Sequence, residues 1–129
     1  MGRRNRVMNK RLMLLLAVLG VLLLSACGQG AGYETIQIDE VAAKQEAGYT
    51  VLDVREAYEY EQAHIPGAEN KPLSLLQSGD FEGLQEDAKY VVICQSGNRS
   101  KQASDLLLEE GYDFVNVAQG MSSWEGAVE

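Results

Sequence analysis

The sequence predicts an α/β domain of three layers, a mostly parallel five-stranded sheet flanked by helices. Three observations carry this. β-type runs of three to five residues alternate with helix-type runs, in steps of about 20 residues, the rhythm that right-handed crossover connections give. The strongest of these runs, Tyr90-Val91-Val92-Ile93, is apolar or aromatic throughout, as a strand covered on both faces requires. The chain has 129 residues, enough for one domain and not for two, and it shows neither an internal repeat nor a low-complexity stretch.

Each element has its own signal. Thr35-Ile36-Gln37-Ile38 reads as the first strand. Asp39 is placed to cap a helix through Glu46, with Val41, Ala42 and Ala43 facing inward and Gly48 closing it. Thr50-Val51-Leu52-Asp53-Val54 is the second strand, followed by a short helix from Arg55 to Ala63 with Tyr58 and Tyr60 as partial anchors. His64-Ile65-Pro66-Gly67-Ala68 is a turn, because Pro66 fixes φ and Gly67 frees it. Glu69 to Lys71 forms a short strand and Leu73 to Gln77 a short helix. Lys89 to Ile93 is the most buried strand, and Ser100 to Glu110 the best helix, with Ala103, Leu106 and Leu107 at core spacing. Phe114-Val115-Asn116-Val117 is the last strand. Gly120 opens a terminal helical turn that holds Trp124, most simply a core plug.

The amino-terminal part is of another kind. Residues 1–26 read as a secretory signal: five basic and no acidic residues in Met1–Arg11, then the apolar run Leu12–Leu24. As a helix that run reaches about 20 Å, short of the ~30 Å hydrocarbon core. Arg3-Arg4 raises a twin-arginine route, which the neighbouring residues fit poorly. Leu24-Ser25-Ala26-Cys27 resembles a bacterial lipobox, which implies cleavage before Cys27, lipidation of that cysteine, and anchoring on the extracytoplasmic face of a bacterial membrane by two or more acyl chains. Residues 27–33 then form the lipidated cysteine and a flexible tether rich in glycine, and residues 34–129 the domain. All 19 acidic residues follow Cys27 with only six of the 11 basic ones, so the chain's net −8 becomes −13 beyond it. That charge argues against a nucleic-acid partner and against a domain lying flat on an anionic bilayer.

If Cys27 is lipidated, Cys94 is the only thiol, and no disulfide forms within the domain. Cys94 opens the loop Cys94-Gln95-Ser96-Gly97-Asn98-Arg99-Ser100, directly after a strand and directly before a helix. A cysteine at such a turn stands at the carboxyl end of the sheet, where α/β proteins place their sites. The amides of Gln95 to Ser100 have no helical partner yet and can converge on whatever the sulfur carries, while the helix N-terminus and Arg99 favour the thiolate. The expectation is an exposed, reactive thiol with Arg99 as its catalytic cation. Gln95, Ser96, Gly97, Asn98 and Ser100 are the candidate substrate-binding residues, with Gly97 there for backbone freedom. Asp53, Arg55 and His64 are candidate borders of the site. Asp53 and Arg55 read more readily as a structural ion pair, and His64, the only histidine, as a hydrogen-bonding turn residue, since a thiolate needs no general base. One histidine and two cysteines without ligand spacing imply neither metal nor cofactor.

From about Tyr33 to Trp124 the chain resembles a single rhodanese domain, a sulfurtransferase fold. Four pieces match in order: Asp53-Val54-Arg55-Glu56, His64-Ile65-Pro66-Gly67-Ala68, the loop Cys94 to Ser100, and Gly120-Met121-Ser122-Ser123-Trp124, where Met121 stands at a place commonly held by a second glycine. The resemblance implies a sulfurtransferase. The Cys94 thiolate takes the outer sulfur of a donor such as thiosulfate, becomes a persulfide, and yields the sulfur to cyanide or a thiol in a ping-pong cycle. The partners it implies are a small sulfur donor (thiosulfate, a polysulfide or a persulfide) and a thiol acceptor. A sulfur carrier with little thiosulfate turnover is the chief alternative, because a −13 domain repels a dianion. A phosphatase or arsenate reductase fits less well: four residues separate Cys94 from Arg99, where the loops of those enzymes that resemble it have one more. A non-catalytic binding module would be expected to lack the cysteine.

Overall fold

The computed structural model describes residues 32–129. Five strands, β1 (Glu34–Ile36), β2 (Thr50–Asp53), β3 (Glu69–Asn70), β4 (Lys89–Ile93) and β5 (Asp113–Val117), form one sheet in the order β1-β5-β4-β2-β3. Every neighbouring pair is parallel. The helices are α1 (Val41–Glu46), α2 (Ala57–Gln62), α3 (Leu73–Gln77) and α4 (Asn98–Glu109), with single 3₁₀ turns at Ile38–Glu40 and Met121–Ser123.

Side chains of a strand alternate between faces, and here each face has its own core. Leu52, Tyr90, Val92 and Phe114 pack with Leu73 and Leu76 of α3 and Ala103 and Leu107 of α4. Val51, Val91, Ile93, Val115 and Val117 pack with Val41, Ile65 and Ala68, under Tyr60, Met121 and Trp124. The three expected layers are therefore present. β4 is central, which is why it is the most continuously apolar strand.

The differences from expectation lie at the ends of elements. β1 stops at Ile36, because the Ile38 amide donates to Gln119 Oε1 (2.9 Å) and the chain turns into 3₁₀ geometry. Asp39 is no cap: the turn is closed by Glu40, whose Oε2 accepts from the Gln37 amide at 2.7 Å. α1 is so short that only Val41 reaches the core, and Ala42 and Ala43 are exposed. Tyr58 is 65% exposed and anchors nothing. By contrast Tyr60 lies under the His64 ring and donates its hydroxyl to Ala68 O.

The topology positions a site. From β2 the chain continues through α2 toward β3, on one side; from β4 it continues through α4 to β5, on the other. The connections diverge between the carboxyl ends of β2 and β4, the switch point at which parallel sheets open a crevice. Asp53 pairs with Ile93 in register, so both strands end at one level. The β2–α2 corner and the Cys94 loop therefore face each other across that crevice.

Candidate active site

Cys94 continues the alternation of Tyr90 and Val92, which sends its side chain to the α4 face of the sheet. The residue is 1% exposed, so the sulfur is covered by its own loop, not exposed as expected. The loop turns back at Gly97, whose φ of +97° is left-handed and whose missing Cβ would overlap Ala118 O. No other residue satisfies both demands. The turn brings the Gly97 amide to 3.1 Å from Sγ. Among the described residues, no loop or turn carbonyl accepts from the amides of Gln95, Asn98 and Arg99, the last two lying in the first turn of a 12-residue helix, where amides have no helical acceptor, while the Ser96 amide joins that of Gly97 at the sulfur.

This arrangement sets the thiol's acidity. Burial pushes the Cys94 pKa up, and the Ser100 hydroxyl with the amides of Ser100, Ser96 and Gly97 outweighs it, leaving the thiol below its ordinary value. The donors that favour thiolate are the ones a negatively charged outer sulfur would meet next. The Ser100 side chain is fully buried, and its hydroxyl is also within reach of Gly97 O, at 3.2 Å.

The loop's outward-facing carbonyls are held from behind. The Met121 amide donates to Cys94 O (2.8 Å), and the Ser122 amide and hydroxyl donate to Gln95 O (3.0 and 2.8 Å). Gly120 lies flat on the Cys94–Gln95 peptide, where any Cβ would collide with backbone. The stretch Gly120–Ser122 is thus a clamp that fixes the carbonyls outward and so turns the amides inward.

Two arginines border the loop. Arg55 is buried and grips the buried Asp53 carboxylate, Nη2 to Oδ2 at 2.7 Å and Nε to Oδ1 at 3.0 Å. It also donates to Ala63 O (2.7 Å) and, through Nη1, to Gln95 Oε1 (3.3 Å). Arg99 forms a two-pronged pair with Glu59 of α2, Nη1 to Oε2 at 2.6 Å and Nη2 to Oε1 at 2.9 Å. Oε2 also accepts from the Glu56 amide (2.9 Å), which closes the first turn of α2. The bonds from Arg99 hold the Glu59 carboxyl down, from its ordinary 4.5 to about 2. Glu59, ahead of the more distant Cys94, in turn keeps Arg99 charged.

A family model described as Rhodanese-like domain matches residues 37–127. The chain belongs to the rhodanese-like domain family. The "Putative sulfur carrier protein YrkF" of Bacillus subtilis (strain 168) is 41% identical over 80 residues, which are 61% of this chain and 43% of YrkF. The chain therefore spans less than half of that relative. The "Putative sulfurtransferase YtwF" of the same organism is 40% identical over 80 residues, 59% of this chain and 73% of YtwF. Among solved structures, the rhodanese-related protein from Thermoplasma volcanium is 36% identical with a TM-score of 0.67, over 75% of this chain and 98% of that one. Family and relatives together support sulfur transfer as the general chemistry.

Within this rhodanese-like domain the residues singled out in the sequence take distinct places. Cys94, Gly97 and Ser100 meet at the sulfur. Ser96 contributes its amide, and its side chain is exposed, as is that of Asn98. The Gln95 side chain turns to Arg55 instead. Asp53 and Arg55 form a buried ion pair whose arginine reaches the loop through Gln95. His64 is a turn residue: its ring stacks on Tyr60 at 3.7 Å, Nδ1 is 2.8 Å from Tyr60 O, and its backbone pairs with Glu129. Trp124 covers the second core and donates Nε1–H to Ala127 O (3.0 Å), with its ring against Gly126. Two features went unread in the sequence. Glu59 sits 40 positions from Arg99 and carries no local mark. The Gly120 contact had one available signal, a glycine opening the fourth matching piece. Cys27 and the lipobox lie outside the described residues.

Proposed function

We propose that the protein is a sulfurtransferase of the rhodanese type, which takes sulfane sulfur onto Cys94 as a persulfide and passes it to a thiophilic acceptor. The observation that carries this reading is the set of loop donors, the amides of Ser96, Gly97 and Ser100 with the Ser100 hydroxyl, converging on a thiol of lowered pKa. With thiosulfate as donor, the Cys94 thiolate attacks the outer sulfur. The new S–S bond forms as the old one breaks, and sulfite leaves with the electron pair. The outer sulfur, now on Cys94, retains its negative charge, which the amides of Ser96, Gly97 and Ser100 offset without reorganising. In the second half-reaction cyanide or a thiolate attacks that outer sulfur and Sγ leaves as thiolate, back among the same donors. In this reading Arg99 supplies charge at the loop's edge, while Gln95 and Asn98 shape its rim.

A second reading, a carrier that receives sulfur from a persulfide or polysulfide with little thiosulfate turnover, is favoured by the engagement of Arg99 with Glu59. We further propose that Cys27 is lipidated and holds the domain on the extracytoplasmic side of a bacterial membrane. Thiosulfate:cyanide turnover, measured beside Cys94→Ser, tests the chemistry. Turnover lost in the variant supports the enzyme, persulfide on Cys94 without turnover supports the carrier, and neither rejects both. Metabolic labelling with an alkyne-tagged fatty acid, beside Cys27→Ser, tests the anchor.

A further inference from the structure

The domain holds six basic side chains after Cys27, and five of them are occupied. Arg55 is on Asp53 and Lys71 on Asp80. Lys44 and Lys89 lie over the Tyr49 ring, 4.9 and 5.7 Å from its centroid. Lys89 opens β4, at the end of the sheet opposite Cys94. Arg99 is on Glu59 through both of its terminal nitrogens. Only Lys101 has no such partner among the described residues, and it stands exposed on α4. A donor entering at Cys94 therefore meets a cation whose charge is already matched by a carboxylate within hydrogen-bond distance. It also meets the start of α2, where Glu56 just before the helix and Glu59 and Glu61 within it are acidic.

The Glu59–Arg99 pair is built to last. Its bonds are two and parallel, the geometry in which guanidinium and carboxylate bind best. Glu59 is further fixed by the Glu56 amide, and its carboxyl, held near 2, stays charged throughout the physiological range. No ordinary change of pH frees Arg99.

Building on the sulfurtransferase reading, we propose that Glu59 determines the class of donor: by neutralising Arg99 beside the Cys94 loop it selects against the thiosulfate dianion and in favour of persulfides of low charge. With such a donor, R–S–SH, the Cys94 thiolate attacks the outer sulfur. The Sγ–S bond forms and the R–S bond breaks. R–S⁻ leaves with the electron pair, and the outer sulfur keeps its proton. No oxidant or reductant is consumed. This step produces no sulfite dianion, and so asks less of the missing cation than the thiosulfate reaction does.

The test compares two donors, thiosulfate and cysteine persulfide, on the whole chain in three forms: wild type, Glu59→Gln and Glu59→Gln/Arg99→Gln. Glutamine keeps an oxygen for the Glu56 amide and removes the charge. Thermal melts report which variants are folded. The ratio of thiosulfate to persulfide kcat/KM is expected to rise roughly tenfold in Glu59→Gln, the order that one unmatched charge near the reacting sulfur gives. That gain is expected to shrink as salt is added and to vanish in the double variant, because it requires Arg99. A Glu59→Gln variant that is folded but slower with both donors in equal proportion, or a gain that survives loss of Arg99, would overturn the proposal and leave Glu59 a prop for the loop. A wild type that forms no persulfide with either donor would instead reject the sulfurtransferase reading itself.

Discussion

Arg55 and Arg99 each grip a carboxylate beside the Cys94 loop, and the two pairs differ in depth. In the Asp53–Arg55 pair the side chains are 1% and 6% exposed; in the Glu59–Arg99 pair they are 18% and 31% exposed. The deep pair joins the end of β2 to the loop through Gln95 and presents almost no surface to solvent. The shallow pair sits at the loop's rim, where its charge balance meets whatever approaches the sulfur. The same chemical motif is scaffold in one place and a setting of the site's electrostatics in the other, and burial decides which.

The comparison can be broken by removing one carboxylate at a time. Asp53→Asn strands a buried guanidinium, and a loss of about 3–5 kcal/mol in urea unfolding is expected; a loss below ~1 kcal/mol would place the pair with ordinary surface bridges. Gly120→Ala pushes a Cβ into the Cys94–Gln95 peptide. Overpacking of this kind costs about 1–3 kcal/mol, and the displaced loop should show a raised thiol pKa when thiolate absorbance is followed against pH. Glu59→Gln is expected to cost on the order of 1 kcal/mol or less, with a defined pH window. The Glu59 carboxyl binds its proton more weakly in the folded chain than in the unfolded one. Its contribution is therefore full above the ordinary 4.5 and lost as pH falls toward about 2, so the wild-type and Glu59→Gln unfolding curves should converge across that interval. Ser100→Ala has the smallest effect, a rise in the Cys94 pKa with little change in stability, since the amides of Ser100, Ser96 and Gly97 remain.

Much of this architecture is legible in the sequence, for physical reasons. β4 could be read because a central strand is apolar on both faces, and α4 because Ala103 and Leu107 recur at helical spacing. The Cys94 loop could be read because it stands directly between an apolar strand and a helical pattern, with a glycine, an asparagine, two serines and an arginine packed around the thiol. What could not be read depends on distance or on a single turn of chain. Glu59 meets Arg99 only because two connections diverge at the switch point. Gly120 matters only because another segment's peptide lies against it. Ala42 and Ala43 look like core residues by composition, but α1 is too short to bury more than Val41. The burial of Cys94 itself follows from the loop curling back over the sulfur, which no local pattern announces.

The central claim is that Cys94 accepts one sulfur atom into a ring of backbone donors. Intact-mass spectrometry after exposure to thiosulfate or to cysteine persulfide tests it most directly, with Cys94→Ser alongside. The account predicts a gain of one sulfur atom on the wild type, removed by cyanide or a thiol, and none on the variant. A wild type that gains no sulfur from either donor, or a variant that gains as much, would contradict it.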